Sequence, residues 1–327
     1  MGRMGDLRDG LYSIFVVPVV PALPAKVVYG LAVIYADLRA AIDRSGVREA
    51  ELCMQRVLGP DPGGGGWAEQ ARDYFRNKVC LKVDALRLAG DGGRLAKRVE
   101  VRGKEHLDKA LAGGRGAVLC SGHFGSIRAC AGLLGVLGYP VTLIANWTFS
   151  PGPTQKDSQR KVLTWKPIRS HLQGENLLTM TRRGANVRVA LQAASVIRHG
   201  QFILTTVDTP GVARMRREAT TVEFLGGSPR TLPGPAEIAK FAGAPMLSAF
   251  LYRSNGWSRL VLEILPVESA GNAAIQECMT KLDALIRAHP GQWELWDMRK
   301  LVSLGLFPRG HAVEYYESNY GGWTEWV

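Results

Sequence analysis

Short apolar runs separated by amphipathic stretches of helical length restrict the folds open to this chain more than any other feature. Residues 117–120, 141–145, 202–207, 246–253 and 260–265 have the length and apolar content of strands, 99–101 is a further short strand and 220–224 another. Residues 104–112, 187–198, 235–242 and 273–288 lie between them with helical spacing. Strands apolar along their whole length need cover on both faces, and this alternating order supplies helices to give it. The pattern therefore predicts an α/β fold, a central sheet with helices packed against it. No internal repeat is present.

The amino-terminal region reads differently. Residues 11–36 carry one charge, Lys26, over a length that would span a bilayer, but Pro18, Pro21 and Pro24 interrupt any continuous helix. A helix is expected to start near Pro24, with Val27, Leu31, Ile34, Leu38 and Ile42 on one stripe. That stripe is expected to cover the core, with a membrane surface as the alternative. No cleavable signal frames the segment. Glycines 63–66 form a linker, and 67–88 is expected to be a helix with Ala71, Phe75, Val79 and Val83 on one face, ended by 90–93. The expected organisation is an apolar helical segment over 1–62, an α/β domain over 67–308 and a marginal tail over 309–327. Residues 148–175 read as a long basic loop.

A net charge of +12 favours an anionic partner such as lipid headgroups or nucleic acid. Five widely spaced cysteines without a Cys-x-x-Cys pair indicate neither a disulfide framework nor a zinc site, and Cys120 and Cys130 sit in apolar contexts suited to buried thiols.

Chemistry is expected where strands end. Gly122-His123-Phe124-Gly125 follows the run 117–120 and precedes a helical stretch, and Asp208 follows 202–207. In an open α/β sheet, residues beyond the carboxyl ends of strands line the crevice, and a histidine there has the proton affinity of a general base. Asp208 also reads as a turn residue before Thr209-Pro210-Gly211. Arg214, Arg216, Arg217 and Arg230 offer guanidinium forks for phosphate or carboxylate, although a charge run is more often a solvated face. Trp293 and Trp296 read as core.

Four places in order resemble the lysophospholipid acyltransferase superfamily, in its branch of lipid A and mycobacterial mannoside acyltransferases. They are 113–116 leading into 122–125; 204–208; 222–232 with 234 and 238–245; and 289–296 with Arg299. The resemblance implies a mixed sheet sandwiched by helices and acyl transfer from a thioester or ester to a hydroxyl or amine. The family pattern is a histidine, four residues and a carboxylate, whereas here the last position is Arg128. An arginine directed at the imidazole would lower its pKa. Three outcomes are open: another carboxylate, Asp208 first among them, approaches His123; Arg128 binds an anionic substrate group; or catalysis is lost.

The favoured reading is an acyltransferase with His123 and Asp208 as catalytic residues, Gly122, Phe124, Gly125, Arg128, Arg214 and Arg230 as substrate-binding residues, and backbone amides near Gly125 on the oxyanion. It needs no metal or cofactor beyond an activated acyl donor, and its acceptor is a small molecule or lipid. It places the protein in the cytoplasm or on the inner face of the membrane and assigns no oligomeric state. One alternative takes aminoacyl-tRNA as donor and a small amine, hydroxylamine or hydrazine as acceptor. The other is an inactive anion-binding protein, for which Arg128 is the only support.

Overall fold

The computed structural model describes residues 17–146, 177–180, 186–210 and 218–320. Seven strands form the central sheet: β1 (Val99–Arg102), β2 (Val118–Ser121), β3 (Val141–Asn146), β4 (Leu177–Met180), β5 (Phe202–Thr206), β8 (Met246–Arg253) and β9 (Leu260–Val267), while β6 (Thr220–Thr221) and β7 (Arg230–Thr231) pair separately. The order is β1-β9-β8-β2-β5-β3-β4, and only β8 and β9 pair antiparallel. The sheet is thus mixed, as the family resemblance implies.

Both faces are covered for the reason the apolar runs implied. Val118 and Cys120 point into one apolar cluster with Ile275, Leu282 and Trp293, whereas Leu119, between them, joins Cys130, Leu133 and Leu204 on the other face. Helices Gly271–Ala288 and Ile127–Val136 supply these opposing layers. All five cysteines are buried thiols, and burial alone raises that of Cys130 to about 12.

The amino-terminal helix Ala25–Ile42 begins after Pro24 as expected, but its inward face is not the expected one. Ala25, Val28, Tyr29, Ala32, Ala36 and Ala40 are buried, mainly on helix Ala68–Ala96. Val27, Leu31, Ile34, Leu38 and Ile42 are exposed. Alanines on the seam let two helix axes approach closely, and the Asp37 carboxylate grips Arg76 with two contacts, at 2.6 and 3.0 Å. The larger side chains are left outside.

Helix Ala68–Ala96 also departs from expectation. It runs on through the glycines, with its break confined to Asp91 (φ −156°, ψ 85°). The expected strand 220–224 reduces to the two residues of β6. Helix Arg44–Leu58 lies within the expected amino-terminal helical segment, and helix Arg309–Tyr320 occupies much of the expected tail. They meet where the Tyr316 hydroxyl donates to buried Glu49 at 2.6 Å, so the described part of the supposed tail is docked on the core. Met54 and Trp67, on either side of the glycine linker, share one cluster, so the linker joins helices within a single core. Residues 148–175 lie outside the described residues.

Candidate active site

Parallel register brings the two predicted chemical residues together. β2 and β5 run side by side with Ser121 opposite Thr206, so His123 and Asp208 each lie two residues beyond a matched pair. Val207 continues the ladder by donating its amide to Ser121 O at 2.9 Å. The Asp208 carboxylate then accepts the His123 backbone amide on both oxygens, at 3.0 and 2.9 Å, and lies 2.8 Å from His123 Nδ1.

A carboxylate can only accept, so the Nδ1 position carries the proton and Nε2 of the neutral ring keeps its lone pair. The Asp208 side chain is fully buried, whereas a quarter of the His123 side chain remains exposed. Burial opposes a charged imidazole, but the Asp208 charge and hydrogen bond outweigh it, and the His123 pKa is raised. For Asp208, burial pushes upward, and the His123 charge with hydrogen bonds from His123 and Trp293 reverses this to give a lowered pKa. The direction at His123 is opposite to that expected of an arginine aimed at the ring.

The loop carrying His123 is held by a segment far away in sequence. Gly125 N–H donates to Gln292 O at 2.9 Å and Glu294 N–H to His123 O at 2.7 Å, making an antiparallel bridge between Phe124 and Trp293. The Trp293 indole N–H reaches Asp208 Oδ2 at 2.8 Å. Trp293 therefore does more than the core packing expected of it, while Trp296 donates to Pro290 O and stacks edge-on against Trp293. A tryptophan's apolar neighbours were legible in the sequence, but the acceptor its N–H would find was not.

Gly125 has φ +57°, and a Cβ there would lie 2.1 Å from Leu251 O, so backbone shape and space both demand glycine. Two expectations are corrected at this loop. The Gly125 amide is already bonded to Gln292 O and is not available to an oxyanion, and the Ser126 amide is likewise bonded to Leu251 O at 2.6 Å. Phe124 is fully buried against Phe250 and Tyr252, so it shapes the loop from beneath and cannot touch a substrate. Gly122 is buried too, and a Cβ on it would meet the Leu282 side chain at 2.5 Å.

Arg128 is the second residue of helix Ile127–Val136 and is half-buried. Arg230 is exposed on β7, and its neighbour Thr231 donates its hydroxyl to Val207 O at 2.7 Å, which ties this hairpin to the residue before Asp208. Arg214, Arg216 and Arg217 lie outside the described residues.

A mixed sheet that presents a paired histidine and aspartate beyond adjacent parallel strands defines an α/β enzyme. The chain belongs to the bacterial lipid A biosynthesis acyltransferase family, whose sequence profile matches residues 14–301, and it is accordingly an acyltransferase. It is similar to the phosphatidylinositol mannoside acyltransferase of Mycolicibacterium smegmatis, with 24% identity over 292 residues that cover 87% of this chain and 89% of that one. The protein of the same name from Mycobacterium tuberculosis is 25% identical over 262 residues, 77% of this chain and 76% of that one. Among the described residues, no helix is long and apolar enough to cross a membrane.

Proposed function

We propose that His123 is the general base for transfer of an acyl group from a thioester to a hydroxyl of a lipid acceptor with an anionic headgroup, and that Asp208 orients it. The observation that carries this reading is the 2.8 Å contact between His123 Nδ1 and Asp208, which leaves Nε2 as the basic nitrogen of a partly exposed ring. A buried carboxylate reaching His123 from β5 takes the place that position 128 leaves without an acid, and this favours an active site over the inactive alternative. The names of the relatives support a lipid acceptor.

In the proposed reaction, Nε2 takes the proton as the acceptor oxygen attacks the thioester carbonyl carbon. The resulting imidazolium is stabilised by Asp208. Collapse of the tetrahedral intermediate breaks the carbon–sulfur bond, and Nε2 returns its proton to the departing thiolate. The products are an ester and a thiol, and the balance needs no metal or redox cofactor. Arg128 and Arg230 are assigned to the anionic part of the substrate, for which guanidinium forks are suited.

His123→Ala tests the assignment. Turnover of acyl thioester with a phosphoglycolipid acceptor should fall by roughly 100-fold or more while the melting temperature is retained. Near wild-type turnover in the folded variant would refute the role of His123.

A further inference from the structure

We propose that Gln292 is a positioning residue for the His123–Asp208 pair, an inference that rests on His123 being the general base. Its side-chain amide joins the end of β8 to the segment that holds the His123 loop, and Gln292 acts only through the backbone it holds.

The far end of β8 needs a partner on one edge. Its parallel neighbour β2 pairs with it from Met246 to Ser248, whereas β8 runs on to Arg253. Arg253 is buried, so a free backbone N–H and carbonyl there would be costly. Gln292, also buried, satisfies both: its Oε1 accepts the Arg253 N–H at 2.8 Å and its Nε2 donates to Arg253 O at 2.7 Å. A side-chain amide carries the donor and the acceptor of a peptide group, and here it takes the place of a residue on a further strand.

The backbone of the same residue faces the catalytic loop. Gln292 O accepts the Gly125 N–H at 2.9 Å and Asn77 Nδ2 at 3.2 Å, which uses both of its lone pairs. Asn77 Oδ1 in turn accepts Arg253 Nη1 at 3.3 Å. Two residues beyond Gln292, the Glu294 N–H holds His123 O, and between them the Trp293 indole reaches Asp208. One side chain thus fixes the register of a segment that touches both members of the pair.

The loop's other end is tied to the same strand, since the Ser126 N–H donates to Leu251 O, two residues before Arg253. The loop 123–126 is therefore framed by β8 twice, directly at Leu251 and through Gln292 at Arg253. Residues Pro290–Gln292 form a single 3₁₀ turn, and its local bonds, Gln292 N–H to His289 O and Trp293 N–H to Pro290 O, do not fix its place along β8. Without the Gln292 amide the segment 292–294 is free to slide against β8 while Ser126 stays. Gly125, His123 O and the Trp293 contact to Asp208 would be displaced with it. A misplacement of about 1 Å in such a site is enough to lower the rate roughly 100-fold.

The test is Gln292→Met in the full-length protein, a change that keeps the length of the side chain and removes its amide. With acyl thioester and a phosphoglycolipid acceptor, kcat should fall by roughly 10- to 100-fold while KM for each substrate stays within about twofold of wild type. A second readout is NMR of isotope-labelled histidine, with the His123 signals assigned by their absence from His123→Ala. The downfield Nδ1–H resonance of wild type should move upfield or broaden in Gln292→Met, which a loss of stability alone would not cause. Thermal unfolding checks the fold. Should the variant not fold, Gln292→Asn, whose amide falls one methylene short of Arg253, carries the same expected directions. The proposal is overturned if the folded variant keeps the wild-type His123 resonance, or if its kcat stays within about twofold of wild type while His123→Ala is inactive. If His123→Ala retains turnover, the base assignment falls on that result, and the resonance alone decides: displaced in Gln292→Met it supports the positioning role, unmoved it overturns it.

Discussion

The indole N–H of Trp293 donates to Oδ2 of Asp208 at 2.8 Å, while the other oxygen of the same carboxylate lies 2.8 Å from Nδ1 of His123. A tryptophan 85 residues beyond Asp208 in the chain thereby sets the angle at which the carboxylate meets the imidazole. Trp293 touches no reacting atom in the proposed mechanism, so it is a positioning residue.

Trp293→Phe keeps an aromatic ring against Phe224 and Trp296 but removes the donor. Turnover should fall by roughly tenfold, and stability by about 1.5–3 kcal/mol for a lost hydrogen bond to a charged group. A carboxylate with one donor fewer attracts the imidazole proton more strongly. The acid limb of the pH profile should therefore move to higher pH, a change that loosened packing alone would not produce. An unmoved limb would reduce Trp293 to a packing residue.

The base must be neutral to act, so kcat/KM should rise with pH through a midpoint above the ordinary imidazole value of about 6.5. In Asp208→Asn the opposing effect of burial remains and the attraction is gone. The limb should move down while turnover drops by roughly 100-fold or more. Stability follows with definite signs. The raised His123 pKa contributes fully below the ordinary imidazole value and fades as pH rises through the elevated one. The lowered Asp208 pKa contributes above the ordinary carboxylate value and is lost as pH falls through the depressed one. The stability difference between wild type and Asp208→Asn should accordingly be greatest between about pH 4 and 6.5, measurable by denaturant titration across that range.

Arg128→Glu restores the family spacing of histidine and carboxylate, yet Nδ1 of His123 is already held by Asp208. Turnover should not increase. KM for the anionic substrate should rise by roughly tenfold through loss of a charge-assisted contact. A higher kcat at constant KM would show instead that the arginine merely occupies the place of an acid.

Arg253 and Asp84 form a buried ion pair at 2.6 Å, with side chains 3% and 0% exposed, and the second Asp84 oxygen accepts the Tyr29 hydroxyl at 2.5 Å. Asp84→Ala would strand a guanidinium in the interior. Equilibrium unfolding should show a loss of about 3–5 kcal/mol, far more than removal of an exposed pair such as Lys104–Asp108. A loss below about 1 kcal/mol would mean that Arg253 finds another partner or water.

The sequence by itself determined most of the elements of the sheet and the strand ends at which His123 and Asp208 stand. Strand runs at 117–120 and 202–207 needed only local apolar content to be legible, and the glycines around His123 marked a turn that a larger residue at position 125 would block. The resemblance carried the same region to its acyltransferase family. Tertiary structure decided which groups meet and which faces are covered. Asp208 reaches His123 because β2 and β5 became parallel neighbours in a particular register, and Trp293 reaches Asp208 because a distant segment bridges to Phe124. The helix Ala25–Ile42 had its period readable in advance, but the alanine side packed inward because the neighbouring helix offered a close seam. Local periodicity states that a helix has two faces. Which of them is buried depends on the surface that the rest of the chain brings to it.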